Sequence, residues 1–361
     1  WQFHGAIVHY VDAEDDEILR FDGSYLSRLV GNWSLIFGAL PQWWGPNRDQ
    51  SLILSRNARV FPAVYFARNH WAPFDGSFLR RLGSWHFITF MGQLDDEPRY
   101  VESPLVWGAR LTIKPFPFLE LGASRTAMWG GDGRKKTPKI FLDLLLGQDN
   151  YEGDKTNEPG NQLGGFDFRV SGRFGSCSRS VYGQWIGEDE AGFLPSRPVG
   201  AVGASIACPY RSGLWDYFVE WSDTALDFYR SDKFYGSAYQ HGIYQTGYQY
   251  HGRVLGSSFD NDARAVVLGL LWQSLNSPYS VSLKLRQIDL NRDNIVTVDS
   301  TNTIAASALR LHQLEVMTQM QRGAHSAEAG FSAIDEVPVN QMQIDARFTA
   351  WLGYRFSFNA Q

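Results

Sequence analysis

Arg347-Phe-Thr-Ala-Trp-Leu-Gly-Tyr-Arg-Phe-Ser-Phe358 lies three residues from the end of the chain. In an extended strand it puts Phe348, Ala350, Leu352, Tyr354, Phe356 and Phe358 on one face. Arg347, Thr349, Trp351, Gly353, Arg355 and Ser357 fall on the other face. Successive side chains of a strand point to opposite sides, so this alternation predicts a long strand with one apolar and one polar face. As a free edge it would pair with other chains and aggregate. Closing into a barrel removes the edge and turns the apolar row toward lipid.

The same pattern recurs upstream. In Leu105-Val-Trp-Gly-Ala-Arg-Leu-Thr-Ile-Lys114 the odd positions are apolar, and from Gly108 the even ones are Gly, Arg110, Thr112 and Lys114. Phe166–Ser171 and Val281–Arg286 alternate as well. Trp215, Tyr217, Val219 and Trp221 alternate with Asp216 and Glu220, with Phe218 breaking the polar face. Tight connections, such as Phe174–Ser178, Pro209–Gly213, Asn276–Pro278 and Arg322–His325, largely alternate with long polar ones at 40–56, 130–164, 188–198, 222–260 and 290–304. The connection at 69–83 is the exception, longish yet on the short-turn side. This rhythm predicts an all-β transmembrane antiparallel barrel of roughly sixteen strands, with short periplasmic turns and long extracellular loops. A propeller would repeat every 40–50 residues or so, and no such repeat is present. The tail Gly353-x-x-Phe356-x-Phe358 resembles the last-strand signal read by the barrel-assembly machinery of gram-negative outer membranes.

Composition agrees. The 361 residues include 13 Trp, 16 Tyr, 24 Phe and 35 Gly, an enrichment that favours strands and turns over helices. The longest apolar stretch, Ala265–Trp272, is strand-sized and far short of a membrane helix. A formal net charge of −5 argues against nucleic acid as a partner. The chain opens on Trp1 with no basic or apolar leader, so the expectation is one barrel domain over 1–361 with part of its N-terminus missing. A short helix is predicted in an external loop, with Thr137 as N-cap, Pro138 at N1 and Gly147 ending Lys139–Leu146. Its Ile140, Phe141, Leu144 and Leu145 need cover, which a loop folded into the barrel mouth would supply.

The loops carry a further signal in Trp43-Trp44-Gly45-Pro46, Thr126–Gly133, Asp143–Asn150, Glu158–Gly164, Tyr182–Ala191 and Asp260-Asn-Asp-Ala-Arg264. Taken in order, these motifs resemble the Wzi family of capsule-assembly proteins over nearly the whole chain. The resemblance implies an outer-membrane barrel of about eighteen strands, an N-terminal helical portion and loops that close the lumen. It also implies a non-enzymatic, lectin-like role in attaching capsular polysaccharide to the surface of a gram-negative cell. Lipid, lipopolysaccharide and the assembly machinery are the other partners expected of a monomeric barrel, with no cofactor and no metal.

Candidate glycan-binding residues are Trp43 and Trp44, whose indoles would stack on sugar rings, and the basic run Arg134-Lys135-Lys136, which would draw an acidic capsule. Tyr235, Tyr239, Tyr244 and Tyr248 join them, because tyrosine supplies stiff amphipathic contact area. Lumen plugging and self-packing of the loops are the competing roles for these aromatics. Glu188-Asp189-Glu190 would serve a glycosidase only if an acid and a base stood at fixed separation, and no catalytic residue is assigned. A porin-like channel is the rival function. Cys177 and Cys208 each fall at a short turn of neighbouring strands, and a disulfide between them is expected.

Overall fold

The computed structural model describes every residue except 10–18, 77, 96–97, 147–159, 192–193, 295–301, 339–344 and 361. Its main sheet has eighteen hydrogen-bonded segments. Two of these, Leu19–Arg20 and Ala72–Pro73, continue longer strands across bulges, leaving a closed barrel of sixteen strands. Sixteen is the number read from the connections, rather than the eighteen implied by the resemblance.

In chain order the strands are β1 (Gln2–His9), β2 (Leu19–Arg20 with Tyr25–Val30), β3 (Trp33–Gly38) and β4 (Ala63–Arg68 with Ala72–Pro73). Next come β5 (Ser84–Gln93), β6 (Leu105–Phe116), β7 (Leu119–Trp129) and β8 (Gly160–Phe174). They are followed by β9 (Cys177–Ala191), β10 (Leu194–Tyr210), β11 (Gly213–Asp223) and β12 (Arg264–Ser274). The last four are β13 (Tyr279–Leu290), β14 (Leu309–Arg322), β15 (His325–Pro338) and β16 (Asp345–Ala360). Every strand pairs antiparallel with its sequence neighbours, and β16 returns to β1 with Phe356 opposite Ile7 and Phe358 opposite Gly5. That closure satisfies the last strand's backbone groups and leaves no edge.

The alternation read in the sequence sorts the two faces. Phe166, Val181, Val219, Leu268, Phe331 and Leu352 are exposed on the outer wall. An apolar surface this extensive belongs in lipid. Phe116, Phe118, Phe174, Tyr210 and Tyr279 gather at the short-turn end as an aromatic girdle. Many lumen-facing positions are polar and paired, as where Arg110 grips Asp167 and Ser124, while Val106, Met128 and Leu163 are apolar and pack against the loops inside. Phe218, the exception in the sequence, faces the lumen with the Arg48 guanidinium 5.6 Å from its ring centroid.

Two readings of the sequence need correction, and the exception at 69–83 gains its cause. Residues 188–198 are not chiefly a loop: β9 runs through Ala191 and β10 starts at Leu194. The connection at 69–83 is long because it holds the end of β4 and a short 3-10 helix, Leu79–Leu82. The predicted helix, α1 (Pro138–Leu145), forms with Thr137 as its cap, while Gly147 lies outside the described residues. It does not pack into the barrel mouth. It lies on the outer wall, over Trp107, Ala127 and Trp129. Register settles the side: Leu163, Asp167 and their neighbours at even positions of β7 line the lumen, so Ala127, opposite Gln162, faces outward.

Cys177 and Cys208 stand opposite each other at the short-turn end of the β9–β10 hairpin, joined by a disulfide with Cα atoms 4.3 Å apart. Close pairs of an antiparallel ladder bring Cα atoms to about 4.5 Å, within disulfide reach. Denatured protein without reductant should therefore react with no thiol probe, and with reductant at two sites per chain. Two sites without reductant would break the assignment.

Candidate functional site

The long-loop end of the barrel is filled by its own loops. The segment 39–62 enters the lumen as Gln42–Leu54, and its Leu52, Ile53 and Leu54 are fully buried. Trp44 packs edge-on against Phe90 of β5, and a Cβ at Gly108 of β6 would sit 2.4 Å from Phe90 and 2.8 Å from Trp44. Only glycine leaves room for both rings there. Gln184 of β9 holds the loop from both sides, donating to the Trp44 carbonyl at 2.6 Å and accepting from the Leu52 amide at 2.9 Å. Glu220 of β11 accepts from the amides of Arg48 and Asp49 and from the Tyr182 hydroxyl.

Asp49, buried in the same loop, receives Lys284 at 2.8 Å and Arg286 at 2.7 Å from β13, and Arg286 also binds Glu315 of β14. Burial alone would raise its pKa, but Arg286 and Lys284 more than offset that and hold it at about 2. This one loop therefore touches the wall from β5 round to β13.

The loop 224–263 lies over the first. The hydroxyl of Tyr239 donates to the Leu52 carbonyl at 2.8 Å, that of Tyr244 to the Gly130 carbonyl at 2.9 Å, and that of Tyr250 to Asp95 at 2.6 Å. Tyr248 stacks on Tyr239 with centroids 6.4 Å apart. Asp223, at the end of β11, anchors the far side by binding Lys233, Arg264 at 3.4 Å and Arg292 at 2.8 Å. Together these loops make a hydrophobic core inside the barrel.

The aromatic candidates thus divide sharply. Trp44, Tyr239, Tyr244 and Tyr248 are buried packing residues and are not presented to a ligand. Trp43 is half-buried, its indole N–H donating to the Asn47 carbonyl at 2.9 Å. Tyr235 is half-buried under the Arg292 guanidinium. Of the basic run, Arg134 lies over the Tyr244 ring, while Lys135 and Lys136 are exposed and Lys136 pairs with Asp132 at 3.6 Å. Glu188 accepts from the Tyr239 amide at 2.6 Å and serves as a loop anchor. The side chains of Asp189 and Glu190 lie outside the described residues.

What the loops do present is different. Tyr100, Tyr229 and Phe234 are exposed at 65%, 61% and 48%, enough to leave a ring face open. Arg230 stands over Tyr229 and Arg197 over Phe234. Tyr100 is held beside the basic run, its amide donating to Thr246 two residues from Tyr244. The available sequence signal was the basic residue next to an aromatic, in Phe228-Tyr-Arg230 and Lys233-Phe234. The buried tyrosines instead sit among small residues, as in Gly236-Ser-Ala-Tyr239.

Deeper in the barrel is a cavity of about 330 Å³ that no sequence motif marked. Arg20 and Arg355 from the wall, Arg56, Arg59 and Arg253 from the loops, and His251 surround it, with Asp22 the acidic residue among the described lining. Such a lining favours an anionic guest.

A profile of the family described as capsule assembly protein Wzi matches residues 2–343. A Klebsiella pneumoniae protein, described as an uncharacterized 55.8 kDa protein in the cps region, is 37% identical over 205 residues. The match covers 56% of this chain but only 40% of that curated relative's length. Among solved structures, one of Wzi from Escherichia coli superposes with a TM-score of 0.72 at 26% identity, over 96% of this chain and 71% of that one. That protein is described as an outer membrane protein involved in group 1 capsule assembly and as a carbohydrate-binding β-barrel. OprD of Pseudomonas aeruginosa matches with a TM-score of 0.50 at 7% identity, over 94% of this chain and 80% of that one, and shares the fold alone.

Proposed function

Because the chain belongs to the capsule assembly protein Wzi family, we propose that it binds capsular polysaccharide at its long-loop end and helps hold the capsule at the cell surface, without catalysing a reaction on it. The long loops then face outward and the short turns face the periplasm, as in outer-membrane barrels generally. The observation that carries this reading is the loop-filled lumen, which leaves an aromatic and cationic rim in place of a channel mouth. The porin-like alternative needs an aqueous path, and Gln42–Leu54 crosses it. Exposed Tyr100, Tyr229 and Phe234 offer faces for sugar rings, with Lys135, Lys136, Arg197 and Arg230 beside them. The arginine-lined cavity extends the same positive character inward, so an acidic glycan is the favoured ligand class. The protein acts as a monomer in this reading.

Alanine at Tyr100, Tyr229 and Phe234 should weaken binding of capsular polysaccharide about fivefold per ring, by analogy with other aromatic contacts of about 1 kcal/mol. Cells carrying the triple variant should shed more polysaccharide at unchanged barrel levels, and binding in vitro should weaken as salt rises. Wild-type retention by the triple variant would sink the rim as the binding face. Shortened glycan after incubation with the purified protein would overturn the non-enzymatic role.

A further inference from the structure

From the seat of α1 on the outer wall we infer that this helix is an interfacial anchor, which binds the phosphorylated headgroups and acyl chains of lipopolysaccharide. The inference uses the placement of the long loops at the cell surface and shares Lys135 and Lys136 with the proposed glycan rim, whereas Lys139, Leu142 and Leu146 belong to the helix alone. One face of the helix is committed to the barrel. Leu144 is fully buried, and Phe141 stacks on Trp129 at 5.1 Å and meets Trp107 edge-on at 5.8 Å. Arg125, outward-facing on β7, donates to the carbonyls of Leu144 and Leu145 at 2.9 and 3.0 Å, satisfying the helix C-terminus and fixing its depth. Just below, the outer wall of β8 turns apolar at Phe166 and Val170, both exposed. The helix therefore lies along the upper margin of the apolar band, where headgroups meet acyl chains.

The opposite face is unlike a solvated helix. Leu142 and Leu146 are 55% and 54% exposed, four residues apart and so on one stripe, with Lys139 three residues before Leu142. Arg134, Lys135 and Lys136 precede the helix, and among the described residues the acidic neighbours are Glu102, Asp132, which pairs with Lys136, and half-buried Asp143. Leucines outward with lysines alongside is the pattern of a helix lying in a membrane interface. In the outer leaflet of a gram-negative cell, the lipid that joins phosphate to many acyl chains is lipopolysaccharide, which matches the amines and leucines together.

The test places cysteine at Leu142 or Leu146, labels it with an environment-sensitive fluorophore, and compares vesicles of three compositions. The native cysteines are disulfide-bonded, so the label goes to the new site. Blue-shifted emission is expected in lipopolysaccharide vesicles. Lys135→Gln, Lys136→Gln and Lys139→Gln should each lower co-purifying lipopolysaccharide by up to about fivefold, with heat-modifiable folded barrel unchanged. Water-like emission in lipopolysaccharide vesicles overturns the inference. So does an equal shift in zwitterionic or phosphatidylglycerol vesicles with no effect of the lysine changes, since the helix would then be an unspecific apolar seat. Lys139 lies outside the proposed glycan rim, so the loss on Lys139→Gln reports on the lipid alone, and capsule retention in the Tyr100, Tyr229 and Phe234 variants reports on the glycan proposal.

Discussion

Asp49→Ala should loosen the lumen loop and raise the ion conductance of the barrel across planar bilayers. The carboxylate is buried and holds Lys284 and Arg286, so its loss leaves two cations sharing the Glu315 carboxylate, at 4.0 and 2.9 Å, with Gln313 as a neutral partner of Arg286. Breaking a buried ion pair by removing one partner costs several kcal/mol. With Glu315 remaining, roughly 3 kcal/mol is the expected loss, a shift of about a hundredfold toward the undocked loop. Glu220 and Gln184 still grip the backbone, so the opening should be partial and reversible. Trypsin cleavage at Arg48 or Arg56 in detergent gives an independent reading. The sign with pH follows from the pKa: held at about 2 against an ordinary 3.8, Asp49 contributes above that ordinary value and its contribution fades as pH falls through about 2. Wild-type and variant conductance that coincide at neutral pH would show that the loop does not gate the lumen.

The second large effect has the opposite sign. Asp262, buried where the loop returns to β12, is pushed up to about 7, first by burial and then by the charges of Asp293 and Asp260. The Gly236 amide, 2.8 Å from one carboxyl oxygen, and Arg292 oppose this without overcoming it. A folded-state pKa above the ordinary value means that the group's full contribution is present below 3.8 and is lost as pH rises through about 7. Asp262→Asn keeps the shape and removes the charge. It should match wild type near pH 4 and gain on it steadily until about pH 7, then stay ahead by up to roughly 4 kcal/mol if the loop stays rigid. Melting followed across that pH range measures the gap. A difference between wild type and variant that is the same at acid and alkaline pH would mean that Asp262 is ionised throughout.

The strands, their outward faces, the helix cap and the meeting of Cys177 with Cys208 were all legible in the sequence, for one reason. Each depends on neighbours within a turn or a hairpin, where spacing dictates geometry: period two sorts lipid from lumen, and a tight turn fixes which residues face each other. Arg347–Phe358 shows the period-two part of that information most fully.

The loops obeyed no such period. Trp44 looked like a stacking platform, and it is a core residue because Phe90, Gly108 and Gln184, far along the chain, close around it. Tyr239, Tyr244 and Tyr248 were chosen as glycan contacts, yet all are buried, Tyr239 against Leu52, Tyr244 against Gly130 and Tyr248 against Tyr239, while Tyr100 and Phe234 went unmarked and stand exposed. The helix was read correctly and placed wrongly, since its apolar residues suit the barrel mouth and the outer wall equally until Arg125 and Trp129 select the wall. Local alternation therefore determined the barrel. Only the tertiary structure decided which loop side chains fill it and which remain at its rim, because a loop residue's surroundings are supplied by partners distant in sequence.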